Sequence, residues 1–140
     1  MNPQAIFLPA CAQGILTFLV QIYLFSSRSS AMRTKRVGIQ EIAVDSKFDE
    51  VFRDCTDVSD NFENLFEVPV LFFALCGMLF MTGKVDLIYV SAAWAFVVFR
   101  ALHSLVHCTS NQVNHRFLAY LFSCIALWGM WFRLSAQLIF

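Results

Sequence analysis

Four runs of apolar residues, each close to the length needed to cross a bilayer, constrain this chain more than any other feature. About 20 mainly apolar residues in helical form span the hydrocarbon layer. The sequence supplies such runs at residues 5–25, 62–81, 87–108 and 117–138. Hydrocarbon offers no water to backbone groups, so each run must satisfy its own hydrogen bonds as a helix. The composition agrees. The chain is 59% apolar and 14% charged, with a mean hydropathy of +0.64, against roughly 45–50% apolar and about 25% charged in soluble domains. Its formal net charge of +0 leaves no bulk electrostatic basis for nucleic-acid binding. The length predicts a single domain over residues 1–140, an all-α four-helix bundle in a membrane.

The first run carries no charge, no basic residue precedes it, and no small-residue cleavage site follows it. It therefore reads as a membrane helix rather than a signal peptide, stopped at the surface by Arg28 and kinked by Pro9. Residues 26–60 form the long polar connection. It is basic first (Arg28, Arg33, Lys35, Arg36), then acidic (Glu41, Asp45, Asp49, Glu50, Asp54, Asp57, Asp60), relieved by Lys47 and Arg53. Ile42, Phe48, Val51 and Phe52 are spaced as in a short amphipathic surface helix, and a solvated loop fits equally well. Pro69 should kink the second run, and Thr82-Gly83-Lys84 is a tight turn. Trp128, Trp131 and Arg133 suit an interfacial anchor. Short links make successive helices antiparallel neighbours. Arg28, Arg33, Lys35, Arg36, Lys47, Arg53 and Arg116 fall on one side, against Lys84 and Arg133 on the other. The long connection is then cytoplasmic and both termini lie away from the cytoplasm. The five cysteines are widely spaced with no Cys-x-x-Cys pair. They read as small buried hydrophobes, with Cys55 the one exposed thiol.

Polar residues interrupt the second and third runs in a pattern. Asn64 and Glu67 stand three apart, one face of a helix, with Asn61 beside them. Arg100, His103 and His107 are spaced three then four, again one face. Ionisable groups in hydrocarbon turn inward toward protein or water, and depth and sign pair Glu67 with Arg100. Three readings follow. The face is interhelical glue, worth roughly 0.6–2 kcal/mol per polar contact. Or His103 and His107 chelate a metal with Glu67 or His115, against which Arg100 repels a cation; no metal is expected. Or the face is an anion pocket, in which the Arg100 fork takes a carboxylate. His103, His107, Asn64 and Arg116 then add donors, Glu67 holds an ammonium, and a lipophilic co-substrate arrives from the lipid.

The string Asp60-Asn-Phe-Glu-Asn64-Leu-Phe-Glu67-Val-Pro69-Val-Leu-Phe72 and the string Arg100-Ala-Leu-His103-Ser-Leu-Val-His107 resemble the MAPEG superfamily. These are the membrane-associated proteins of eicosanoid and glutathione metabolism, and the strings are most similar to bacterial members. The resemblance implies a left-handed four-helix bundle assembled as a homotrimer, and its bacterial members favour a bacterial inner membrane. It also implies glutathione as co-substrate, held between neighbouring subunits, for transfer or peroxidase chemistry on lipophilic substrates. By it, Asn64, Glu67 and Arg100 contact glutathione, with Glu67 toward the amine, and His103 matches the family's histidine. Arg116 and Arg100 are then the catalytic residues, Arg116 favouring the thiolate. The chain departs from the glutathione enzymes at three positions. Asp60 stands where they carry arginine and would repel a carboxylate there. His107 stands where they often carry tyrosine, and Pro69 lies closer to the glutamate. A non-enzymatic membrane binding or scaffold protein, its polar face locking the trimer, is the alternative.

Overall fold

The computed structural model describes residues 2–43 and 45–140; Met1 and Val44 of the expected domain lie outside them. No strand occurs among the described residues. The helices are α1 (Phe7–Lys35), α2 (Asp45–Phe52), α3 (Thr56–Asn64), α4 (Val68–Met81), α5 (Leu87–Cys108) and α6 (Val113–Ile139). Short 3-10 turns at Pro3–Ile6, Ile39–Ala43 and Arg53–Cys55 precede or join them. Four helical segments are long and apolar enough to cross a membrane: Pro3–Lys35, Lys47–Met81, Leu87–Cys108 and Val113–Ile139. Their outer faces carry exposed Phe18, Leu19, Ile22 and Phe25 on α1 and Trp128 and Phe132 on α6. Water penalises so large an apolar surface, and lipid does not.

The first helix does not stop at Arg28. Its 29 residues, at 1.5 Å each, reach about 44 Å, well beyond a hydrocarbon layer of roughly 30 Å. It ends instead at Arg36, whose left-handed backbone (φ 54°) closes the last turn, with Arg33 and Lys35 at the negative end of the helix. Pro9 produces no break in α1. It is the third residue of the helix, where its missing N–H is of little consequence.

The projecting turns of α1 give the polar connection something to pack against. Residues 26–60 are therefore mostly helix rather than loop. Val51, Phe52 and Cys55 are buried in a small cluster with Ala31, Met32, Val37 and Ile42. The Arg28 guanidinium lies 5.4 Å from the ring centres of both Phe48 and Phe52, and it donates to Ser59 Oγ at 2.9 Å. Lys35 Nζ donates to the Glu50 and Val51 carbonyls at 3.0 and 2.9 Å, which caps α2. Of the two readings of this stretch, the amphipathic helix is the one observed. Cys55, expected to be exposed, is buried here because it faces α1, whereas Cys11 is exposed on the outer face of α1.

The second membrane segment is broken rather than bent. Pro69 has no N–H to donate and disfavours helical backbone at Val68. Helix α3 closes with short-range bonds from Leu65 N to the Phe62 carbonyl (3.1 Å) and from Phe66 N to the Glu63 carbonyl (2.8 Å). Glu67 (φ −87°, ψ −92°) then occupies the position before α4, with no side-chain hydrogen bond to the helix. Asn64 and Glu67 consequently belong to different helices and share no helical face.

The main core lies between the start of α1 and helices α4, α5 and α6, and includes Ile6, Leu75, Leu79, Ala93, Leu127 and Leu134. Phe72 stacks on Phe96 at 4.3 Å. Gly83 (φ 64°) allows the turn from α4 to α5, a conformation that glycine adopts without a Cβ clash. Asp86 caps α5 by accepting from Tyr89 N at 3.0 Å. Arg133, expected as an interfacial anchor, holds both Asp86 oxygens at 2.9 and 2.5 Å. It lies 4.3 Å over the Tyr89 ring. Tyr89 Oη donates to Gln137 Oε1 at 2.9 Å, and Lys84 Nζ donates to the Gln137 carbonyl at 2.8 Å. These contacts fasten the α4–α5 turn to the end of α6.

Candidate functional site

The opposite end of the bundle carries the polar residues that the spacing singled out. The break after α3 leaves the Asn64 carbonyl without a helical partner. Arg100, fully buried on α5, donates one guanidinium N–H to that carbonyl. Its Cζ lies 5.7 Å over the Tyr120 ring, and its Nε and Nη1 find no partner within the chain. The expected ion pair with Glu67 is not formed: among the described residues, neither side chain has a salt-bridge partner. Glu67 is exposed, because the break at Pro69 leaves it on the turn rather than on the inner face of α3.

His103 and His107 follow Arg100 along the same face, both buried, with ring centres 5.5 Å apart. His103 Nδ1 lies 3.0 Å from the Arg116 carbonyl. A carbonyl only accepts, so Nδ1 carries the proton and Nε2 is left as an acceptor. Among the described residues, His103 Nε2 and His107 Nδ1 are buried without a partner. Arg116, in the first turn of α6, donates through Nη1 to Asn111 Oδ1 at 2.8 Å. Asn111 itself adopts a left-handed backbone (φ 45°) that ends the link from α5.

These groups open onto one groove of about 270 Å³ between α3, α5 and α6. Asp60, Asn64, His103, His107, Arg116 and Tyr120 line it, with Val113 and Phe117 as its apolar wall. Asn64 Nδ2 donates to the Asp60 carbonyl at 2.9 Å, which fixes the amide against the end of α3. The chain thus brings Asn64, His103, His107 and Arg116 together. Arg100 does not line the groove, because its guanidinium is drawn onto the Asn64 carbonyl. Glu67 and the exposed His115 also lie outside it. Among the described residues no three His, Cys, Asp or Glu side chains gather in a way that could hold a metal ion.

Several groups escaped the sequence reading. Tyr120 stands four residues after Arg116, hence on the same face, and that spacing could have found it. Gln13 is fully buried with neither amide atom bonded within the chain; an amide inside an uncharged apolar run was its signal. Ser104 is buried beside the histidines with its hydroxyl unpartnered. Asn61, recognised as polar at the mouth of the second run, donates to Cys108 Sγ at 3.3 Å.

Comparison with curated proteins finds no match, and comparison with solved structures finds none. The sequence model of the MAPEG family, however, matches residues 6–136, which is nearly the whole chain and contains every residue of the groove. With four helical segments able to cross a bilayer, this chain is a multi-pass integral membrane protein and belongs to the MAPEG family.

Proposed function

We propose that the protein binds glutathione in the groove between α3, α5 and α6 and uses it for transferase or peroxidase chemistry on lipophilic substrates drawn from the bilayer. One observation carries the reading. Buried His103 Nε2 and His107 Nδ1 have no partner in the chain, and both histidines line the groove that Arg116 and Asn64 share. Each such atom costs about 1–3 kcal/mol when unsatisfied, a penalty that the donors and acceptors of a bound peptide relieve. Family membership supports glutathione as that peptide.

Glutathione, when bound, supplies a thiol as nucleophile. Arg116 contributes a fixed cation that favours an anion beside it, thiolate or carboxylate. His103, its tautomer set by the Arg116 carbonyl, presents Nε2 as an acceptor of a proton or hydrogen bond. Val113 and Phe117 give an apolar approach. Arg100 is a positioning residue: it holds the end of α3, and with it Asn64, in place.

The groove falls just below the roughly 300–1,000 Å³ of small-molecule sites. We propose that a neighbouring subunit of a homotrimer completes it, and that Glu67 acts only across that boundary. The groove faces the cytoplasm of a bacterial inner membrane, on the side of Arg28, Arg33, Lys35 and Arg36. A structural role for the polar face is favoured only at Arg100, by its bond to the Asn64 carbonyl.

Calorimetry of reduced glutathione with detergent-purified protein, with Arg116→Ala and with His107→Ala tests the reading. The expected result is saturable binding, weakened about tenfold or more by loss of a charge-assisted bond in Arg116→Ala, with the oligomer unchanged. No heat up to millimolar glutathione with folded protein would overturn it.

A further inference from the structure

Among the described residues, Asp60 is the only acidic side chain lining the groove. Among the described residues its carboxylate makes no hydrogen bond and no salt bridge; only its backbone carbonyl is engaged, by Asn64 Nδ2 at 2.9 Å. Arg116 lines the same groove, and its guanidinium bonds Asn111 rather than Asp60. An acid and a base that border one small groove without pairing give it a negative wall and a positive wall.

The histidines supply a second pointer to a ligand, the one on which the glutathione reading itself rests. Their buried, unpartnered nitrogens belong to residues lining the same groove. Glu67, the residue expected at a ligand's amine, is exposed on the α3–α4 turn and does not border the groove.

Resting on the reading that the groove binds glutathione, we infer that Asp60 receives the ligand's free ammonium group, so that the site selects zwitterionic peptides with an unblocked amine. The γ-glutamyl amine lies against Asp60, and a carboxylate lies toward Arg116. A negative wall at this position turns away a ligand that presents only carboxylates, and it attracts one that presents an ammonium.

The test measures binding of glutathione and of N-acetylglutathione, in which the amine is acylated and uncharged, to detergent-purified wild type and to Asp60→Asn. Asp60 is exposed, so the amide leaves the packing unchanged, and the elution profile checks this. Wild type is expected to prefer glutathione about tenfold or more, the usual effect of one charge-assisted hydrogen bond. Asp60→Asn is expected to bind both peptides alike. A role limited to supporting α3 would not alter that ratio. Equal binding of both peptides by wild type, or a preference retained in Asp60→Asn, overturns this inference and leaves the glutathione reading standing. Binding of neither peptide overturns both.

Discussion

The clamp at the end of the bundle away from the groove yields a prediction that can be worked through. Asp86 receives the Tyr89 N–H and both terminal nitrogens of Arg133. The two charged side chains are 40% and 30% exposed, so solvent screens them and the pair contributes about 1 kcal/mol, the upper end for exposed pairs. Arg133 over the Tyr89 ring at 4.3 Å adds roughly 0.5–1 kcal/mol. The Asp86 cap of α5 adds about 1 kcal/mol. Arg133→Ala should then cost about 1.5–2 kcal/mol, Asp86→Ala about 2, and the double variant nearly 3 rather than 4. Unfolding in detergent, followed by tryptophan fluorescence, measures all three. The pH dependence has a definite sign. The Arg133 hydrogen bonds hold the Asp86 carboxyl below its ordinary value. Its contribution is complete above the unfolded value of about 3.9 and is lost as pH falls through the lower folded value. The gap between wild type and Arg133→Ala should be constant through neutral pH and narrow below about pH 4. A coupling under about 0.3 kcal/mol, or a gap unchanged in acid, would refute the reasoning.

Arg100→Met removes a charge-assisted bond worth about 1.5–3 kcal/mol and also relieves a buried, unpaired charge that costs several kcal/mol. Unfolding should show stability equal to wild type or raised, and a loss above about 3 kcal/mol would show a strong partner besides the Asn64 carbonyl. Phe52→Ala, at a buried ring beneath Arg28, should cost about 3 kcal/mol locally; limited proteolysis should cut near α2 while the membrane helices survive. A lipophilic maleimide should label exposed Cys11 rapidly and buried Cys55 slowly, and equal rates would contradict the packing of α2 on α1.

The four membrane segments were legible because length and apolarity alone decide them. A disturbance at Pro69 was legible because a missing N–H is a local property, but it was read as a kink and the structure shows a break. The face of Arg100, His103 and His107 was legible from its spacing, and the structure buries all three. Residues 26–60 were legible only in part: spacing offered a short amphipathic helix beside a solvated loop, and packing on the part of α1 that projects beyond the apolar run decides between them. No local signal in Ser26 to Lys35 announces that the helix continues. The pairing of Glu67 with Arg100 failed for a related reason. It assumed a kinked but continuous helix, whereas the break before Pro69 turns Glu67 outward and exposes the Asn64 carbonyl that Arg100 then meets. The site in one chain is accordingly built from Asp60, Asn64, both histidines, Arg116 and Tyr120. Of these, Tyr120 alone was passed over, and Asp60 was noticed only as a departure from the family pattern.

The most direct test of the account is a cryo-electron microscopy map of the protein in nanodiscs with saturating glutathione. The account predicts peptide density against Asn64, His103, His107 and Arg116, with its amine end at Asp60. Density on another surface, or a groove filled by the protein's own side chains with glutathione absent, would contradict it.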